Sequence, residues 1–266
     1  MTTRFPAGTF TPAPQLASMP SIIFAQAKLE TTLIWRHGEQ MLLSVVIPLA
    51  MLIGFTLVPI LDHPDPLQAV FPMVLSIAVM SAGFTGQAIA VGFDRRYGAL
   101  KRIGASALPK WGIICGKIIA VAVTVSAQYL IFTIVGLILG LDISVGGWIA
   151  AYVVMLLGTA TFSALGLLMG GTLTAELILG LANLIWFLLL GAATFAAVGP
   201  ELSDLWETAL GLLPSVALMR LLEAAMHGGF DLFGFVVLIV WAVIAASLAI
   251  RLSASICLTT SVQKYE

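Results

Sequence analysis

The chain has 266 residues, 60% of them hydrophobic and 9% charged, with a net charge of −1. Soluble domains carry about 25% charged residues, so this composition excludes a water-soluble fold and defines an integral membrane protein. The two cysteines, Cys115 and Cys257, have no motif spacing and support neither a zinc site nor a disulfide framework.

Residues 1–20 hold several prolines, Thr and Ser and no apolar core, so a disordered tail is expected there and not a cleavable signal. Residues 21–36 follow as an amphipathic helix at the membrane surface, with Ile22, Ala25, Leu29 and Leu33 on one face. Six segments are then long and apolar enough to cross a bilayer, which takes about 20 residues: 41–61, 71–91, 113–141, 148–169, 177–198 and 233–252. None alternates with period two, so the fold class is an all-α six-span bundle, and residues 21–266 form one transmembrane domain.

Between spans five and six, residues 199–232 carry two apolar stripes at helical spacing. Leu202, Leu205, Trp206, Ala209 and Leu213 make the first; Leu218, Leu221, Leu222 and Ala225, after Pro214, make the second. Two short amphipathic helices are predicted, resting at or dipping into the interface. Trp206, Pro214, Leu218 and Leu222 are the candidate gate residues of that segment.

Placing the N-terminus inside puts every Lys and Arg except Arg220 on the cytoplasmic side, while most acidic residues fall outside. Both termini are therefore expected in the cytoplasm. Five of the 12 cations lie in the single stretch "FDRRYGALKRIGASALPKW" after the second span.

The spans hold no His–Glu pair, no paired Asp and no Ser–Lys dyad, so no catalytic constellation and no metal site is expected. Lys117 and Arg251 fall near cytoplasmic helix ends, where long side chains snorkel. The run Gly112–Lys117 lacks the spacing and hydroxyl of a phosphate loop, so no nucleotide or other cofactor site is expected on this chain. Small residues four apart (Gly112/Gly116, Gly136/Gly140 and Gly166/Gly170) allow close helix approach. Thr85, Gln87, Gln128, Thr159, Ser163 and Asn183 are uncharged polar groups at membrane depth, either glue between helices or the lining of a substrate path.

In the basic stretch, Asp94 can cap a short helix with Arg95 and Arg96 in its first turns, Leu100 and Ile103 on an apolar edge, and Gly104 ending it. A basic helix with an apolar edge, held at the membrane surface, is a docking peg for a soluble partner. "DRRYGALKRIGASALP" resembles the motif that follows the second span of ABC exporter permeases, in the branch of daunorubicin-resistance-type and polysaccharide exporters. Ala99 stands where that family prefers Thr, and Asp94 where Glu is common. "NLIWFLLLGAATFAAVGP" and "LLPSVALMRLLEA" resemble its fifth span and external helices.

The resemblance implies a permease without an ATPase of its own, in a bacterial cell membrane. Asp94, Arg95, Arg96, Gly98, Leu100, Lys101 and Arg102, within a coupling loop at 94–111, would contact a separate ATPase subunit that holds ATP and Mg. It also implies a second permease half and an amphiphilic cargo moved outward, such as a drug or lipid. Haem, a polysaccharide or a lipid-linked glycan is the alternative cargo, and a membrane enzyme or structural protein the alternative class. No nucleic-acid partner is expected.

Overall fold

The computed structural model describes residues 17–36, 38–58, 65–99, 103, 109–199 and 203–262, without the side chains of 38–43, 110 and 250–262. The described residues are helical apart from short turns. In chain order the helices are α1 (Met19–Arg36), α2 (Gly38–Leu57), α3 (Pro66–Met80), α4 (Gln87–Arg96), α5 (Lys110–Leu139), α6 (Val145–Thr172), α7 (Ala175–Val198), α8 (Asp204–Gly211), α9 (Pro214–Met226) and α10 (Leu232–Val262). Five are long and apolar enough to span a bilayer, α3 and α4 counting as one, and the 44–57 part of α2 is a shorter apolar helix. The protein is an all-α integral membrane protein.

The second span is longer than its sequence suggests: α3 and α4 form one rod of 31 residues, Pro66–Arg96, joined by a π-helical segment, Ser81–Gly86. Asp65 starts it, its Oδ1 accepting from Gln68 N–H at 3.4 Å. The rod is the centre of the bundle, with Leu67 and every residue from Val70 to Met80 buried. Lipid tails are as apolar as these side chains, so close packing and dispersion hold them together, not escape from water. The π segment sits where α6 comes closest. A Cβ on Gly166 of α6 would lie 2.6 Å from the Phe84 carbonyl oxygen and 2.7 Å from that of Gly83. Only a residue without a side chain lets two backbones approach so nearly.

The three small-residue pairs behave differently. Gly166 and Gly170 both pack against the second span, Gly170 against the Ala88 carbonyl. Gly116 takes the Gln26 side chain of α1. Gly140 is no packing residue: it ends α5 in the left-handed region at φ 99°, with Leu141 N–H bonded back to the Gly136 carbonyl at 2.8 Å.

The packing of α1 departs from expectation in two ways. It runs beside the first half of α5 in the same direction, Gln26 against Gly116, Glu30 against Lys117 and Trp35 against Thr124. Its buried face is Gln26, Ala27 and Glu30, whereas Leu29 and Leu33 are exposed. Of the apolar stripe read from the sequence, Leu29 thus lies on the outer surface and Leu33 on the wall of a cavity, and the polar face turns inward because a buried cation waits there. With 30 residues α5 is about 45 Å long, more than the ~30 Å hydrocarbon core. Its ends therefore reach the headgroup layers, and the start of α1 lies at one of them.

The pair α8–α9 dips into the bundle. The two helices meet at 99°. Ser76 Oγ donates to the Ser215 carbonyl and Ser215 Oγ to the Leu189 carbonyl, both at 3.0 Å, and Trp241 Nε1 donates to the Leu212 carbonyl at 3.0 Å. Ser76 is ten residues below the start of α3, so the α8–α9 corner lies roughly 15 Å inside that end. From there α9 climbs back to the rim, where its last carbonyl, Met226, abuts Gly147 at the start of α6. The predicted stripe of α9 is buried on Leu218, Leu221, Leu222 and Ala225. That of α8 is not: Leu205 and Trp206 are exposed, because no other described helix packs over that side of this two-turn segment.

Candidate functional site

The basic stretch begins inside a helix. Asp94, Arg95 and Arg96 form the last turn of α4 and do not cap a new helix as expected. The chain turns at Tyr97–Gly98, with Gly98 at φ 70°, a conformation that favours glycine. Leu100, Lys101 and Arg102 lie outside the described residues, as does Gly104.

The helix continues through three charges because each has a partner on a neighbouring helix. Arg95 Nη1 donates to the carbonyls of Gly170 and Leu173, at 3.0 and 3.1 Å, at the C-terminal end of α6. A guanidinium there satisfies orphan carbonyls and meets the negative end of the helix dipole. Arg96 pairs with Glu176, in the first turn of α7, at 2.5 Å. Both of those side chains are at least half exposed, so this pair contributes no more than about 1 kcal/mol.

Asp94 belongs to a buried triad. Lys117 Nζ donates to Asp94 Oδ2 at 2.8 Å and to Glu30 Oε2 at 2.9 Å, and Gln26 Nε2 donates to Glu30 Oε1 at 2.8 Å. Lys117 is only 2% exposed, so it does not snorkel. Its reach to water is blocked by α1, which supplies a carboxylate in its place. Sequence reading missed Glu30 and Gln26. The available signal was that Lys117 lies seven residues inside its helix, about 10 Å from the end, and therefore needs a partner. Together these contacts tie α1, α5, α6 and α7 to the end of α4.

A cavity of about 570 Å³ opens beside the triad, between α1, α2, the π segment, α4 and α5. Glu30, Asp94 and Lys117 lie on its wall with Leu33, Phe93 and Val121.

Of the six uncharged polar candidates, Gln87 lines this cavity. Thr85, Gln128, Thr159 and Ser163 are buried between helices, Thr159 donating to the Met155 carbonyl of its own helix and Gln128 to Ser44 Oγ at 3.1 Å. Asn183 is exposed on α7 and donates to the Leu179 carbonyl. The structure does not gather them along one path. Of the gate candidates, Trp206 is exposed, whereas Pro214, Leu218 and Leu222 are packed inside this chain, Leu218 against Gly158. Among the described residues there is no cluster of His, Cys, Asp and Glu that could hold a metal ion.

Long apolar helices around a packed centre, a re-entrant helix pair and a charge-studded turn at one end define a polytopic helical membrane protein. The family model for the ABC-2 type transporter matches residues 23–227, and the chain belongs to that family. It is a membrane subunit, the permease, of an ABC transporter. No curated protein matches the chain.

Proposed function

We propose that the chain is the permease of an ATP-driven exporter in a bacterial inner membrane. The basic loop, at the cytoplasmic end, docks in a separate ATPase subunit, and two permease halves move an amphiphilic cargo outward. Branch and cargo class rest on the motif resemblance, whereas the observation that supports coupling is the fastening of α4. Asp94, Arg95 and Arg96 bind it to α5, to the end of α6 and to the start of α7. A push on the loop is therefore delivered to several helices at once, as a rigid-body shift requires.

This division of labour separates two sets of cations. Lys101 and Arg102 follow the turn and are the docking pair; Arg95 transmits. The Lys101→Glu/Arg102→Glu variant is expected to lose co-purification of the ATPase subunit from native membranes while remaining folded. Arg95→Ala is expected to keep the subunit bound and to lose at least tenfold in transport-linked ATP hydrolysis. Normal co-purification of the first variant would sink the docking assignment, and normal turnover of the second the transmission role.

Orientation is tested separately. Glu207 and Glu223 are exposed on α8 and α9. Single cysteines at these positions should react with an impermeant maleimide on intact cells, and reaction only after permeabilisation would reverse the topology.

A further inference from the structure

The side of α7 turned away from the bundle carries a group that acyl chains cannot satisfy. Of the five long spans α7 is the least buried. Its outward face shows Gly180, Asn183, Leu184, Phe187 and Gly191, at the i, i+3, i+4, i+7, i+11 spacing of one side of a helix. With 24 residues α7 is about 36 Å long, and Asn183 lies about 12 Å from its start, within the ~30 Å hydrocarbon layer. Its Nδ2 donates to the Leu179 carbonyl at 2.7 Å, the one bond of that carboxamide among the described residues. The oxygen and the second N–H therefore point into a medium that neither donates nor accepts. The outward residues of α5 at a similar depth, Ile119 and Val123, are aliphatic and pose no such problem.

We propose that this face is covered by α7 of a second, identical chain, the two related by a two-fold axis along the membrane normal, with Asn183 against the partner's Asn183. A carboxamide both donates and accepts, so two of them satisfy each other in reciprocal N–H to oxygen bonds. An identical chain inserts in the same orientation and presents this group at the same depth, and a two-fold axis brings a residue beside it onto its own copy. A lipid tail has nothing to offer there, and a different span would need a polar group of its own at that height. The Asn side chain is short, so the two helices must approach closely. Gly180 and Gly191, on either side of Asn183 along the face, permit this, since nothing lies within 4 Å of a Cβ built at either. Leu184 and Phe187 then pack across the seam. The inference deepens the exporter reading, on which it rests for its role: that reading calls for two permease halves, and this face names the second as the same chain.

The test uses the full chain with Cys115→Ser and Cys257→Ser, prepared as two differently tagged copies and reconstituted together in phosphatidylcholine vesicles. Oxidation with copper phenanthroline should join the two tags when both copies carry Phe187→Cys. Val123→Cys, on the outward side of α5, should join them at least tenfold less. Energy transfer between two fluorophores, followed as lipid dilutes the protein, gives the association constant. Asn183→Leu should weaken it about fivefold, with an unchanged thermal midpoint because the side chain is exposed, and Asn183→Gln should recover most of the loss. A chain that is monomeric at every dilution, cross-linking from Val123 equal to that from Phe187, or undiminished association of Asn183→Leu would overturn the proposal; lipid or a different chain would then cover the face. Association is read without any ATPase, so its failure leaves the exporter reading standing with a second half that is not this chain. Failure of the docking variants described above would remove that reading and leave the contact through α7 intact.

Discussion

Replacing Lys117 by Met is expected to lower the unfolding midpoint of the purified chain by about 10 °C, the largest loss for any single charge in the bundle. The figure follows from burial. Lys117 is 2% exposed and is held at 2.8 and 2.9 Å by two carboxylates. Removing one member of a buried ion pair costs about 3–5 kcal/mol, because what remains is an uncompensated buried charge. Here two carboxylates would be left facing each other, although Asp94, at 31% side-chain exposure, recovers some water. The low end, about 3 kcal/mol, corresponds to roughly 10 °C for a chain of this size. The triple variant Lys117→Met, Glu30→Gln, Asp94→Asn should regain most of that loss, since a buried ionic cluster replaced as a whole often leaves stability unchanged. Differential scanning fluorimetry in detergent measures both. A drop below 2 °C in the single variant would mean that Lys117 reaches water, as it would at a helix end, and that the triad contributes nothing.

The elements legible in the sequence were those set by local physics. A run of about 20 apolar residues identifies a span wherever it stands, and the helical stripe of α9 marks its buried face on Leu218, Leu221, Leu222 and Ala225. The family was legible as well, through the motif at Asp94–Pro109, and the family match over residues 23–227 agrees with it. What stayed hidden depends on partners distant in the chain. Asp94, Arg95 and Arg96 read as the cap and first turns of a new helix, yet they are the last turn of α4, where α5, α6 and α7 supply their counter-groups. Glu30 and Lys117 are 87 positions apart, and nothing near either one points to the other.

The stripe rule also needs an outside solvent to be read correctly. In water an apolar stripe faces the core, and on that rule Leu29 and Leu33 would be buried. Against acyl chains an apolar residue such as Leu29 is content outside, and the polar face of α1 is the one that gains by turning in, toward Lys117. Leu205 and Trp206 of α8 stay exposed as well, where no other described helix packs over them. The candidate cavity was partly legible. Gln87 stood among the polar residues at membrane depth, but the cavity it lines is visible only once α4, α5 and α1 are placed together.

Gly166→Ala is expected to destabilise the chain by about 2 kcal/mol, and Gly166→Leu to prevent a stable bundle. The reason is a contact with backbone, which cannot move aside as a side-chain tip can. A Cβ at this position would lie 2.6 Å from the Phe84 oxygen, 2.7 Å from the Gly83 oxygen and 3.0 Å from the Gln87 Cβ. Helix propensity alone would favour the substitution by up to about 1 kcal/mol, so the measured sign decides whether propensity or packing wins. Gly180 provides the reference: nothing lies within 4 Å of a Cβ there, and Gly180→Ala should be neutral or slightly stabilising. Equal stability of the two alanine variants would show that α6 can retreat from the π segment at no cost. The expected cost implies the opposite, that α6 and the second span move together. Any retreat at Gly166 also lifts Gly170 and Leu173 away from Arg95, one turn and two turns further along the same contact. The close approach at the glycine and the guanidinium clamp at the helix end are thus two parts of one joint, and loosening the first should weaken the second.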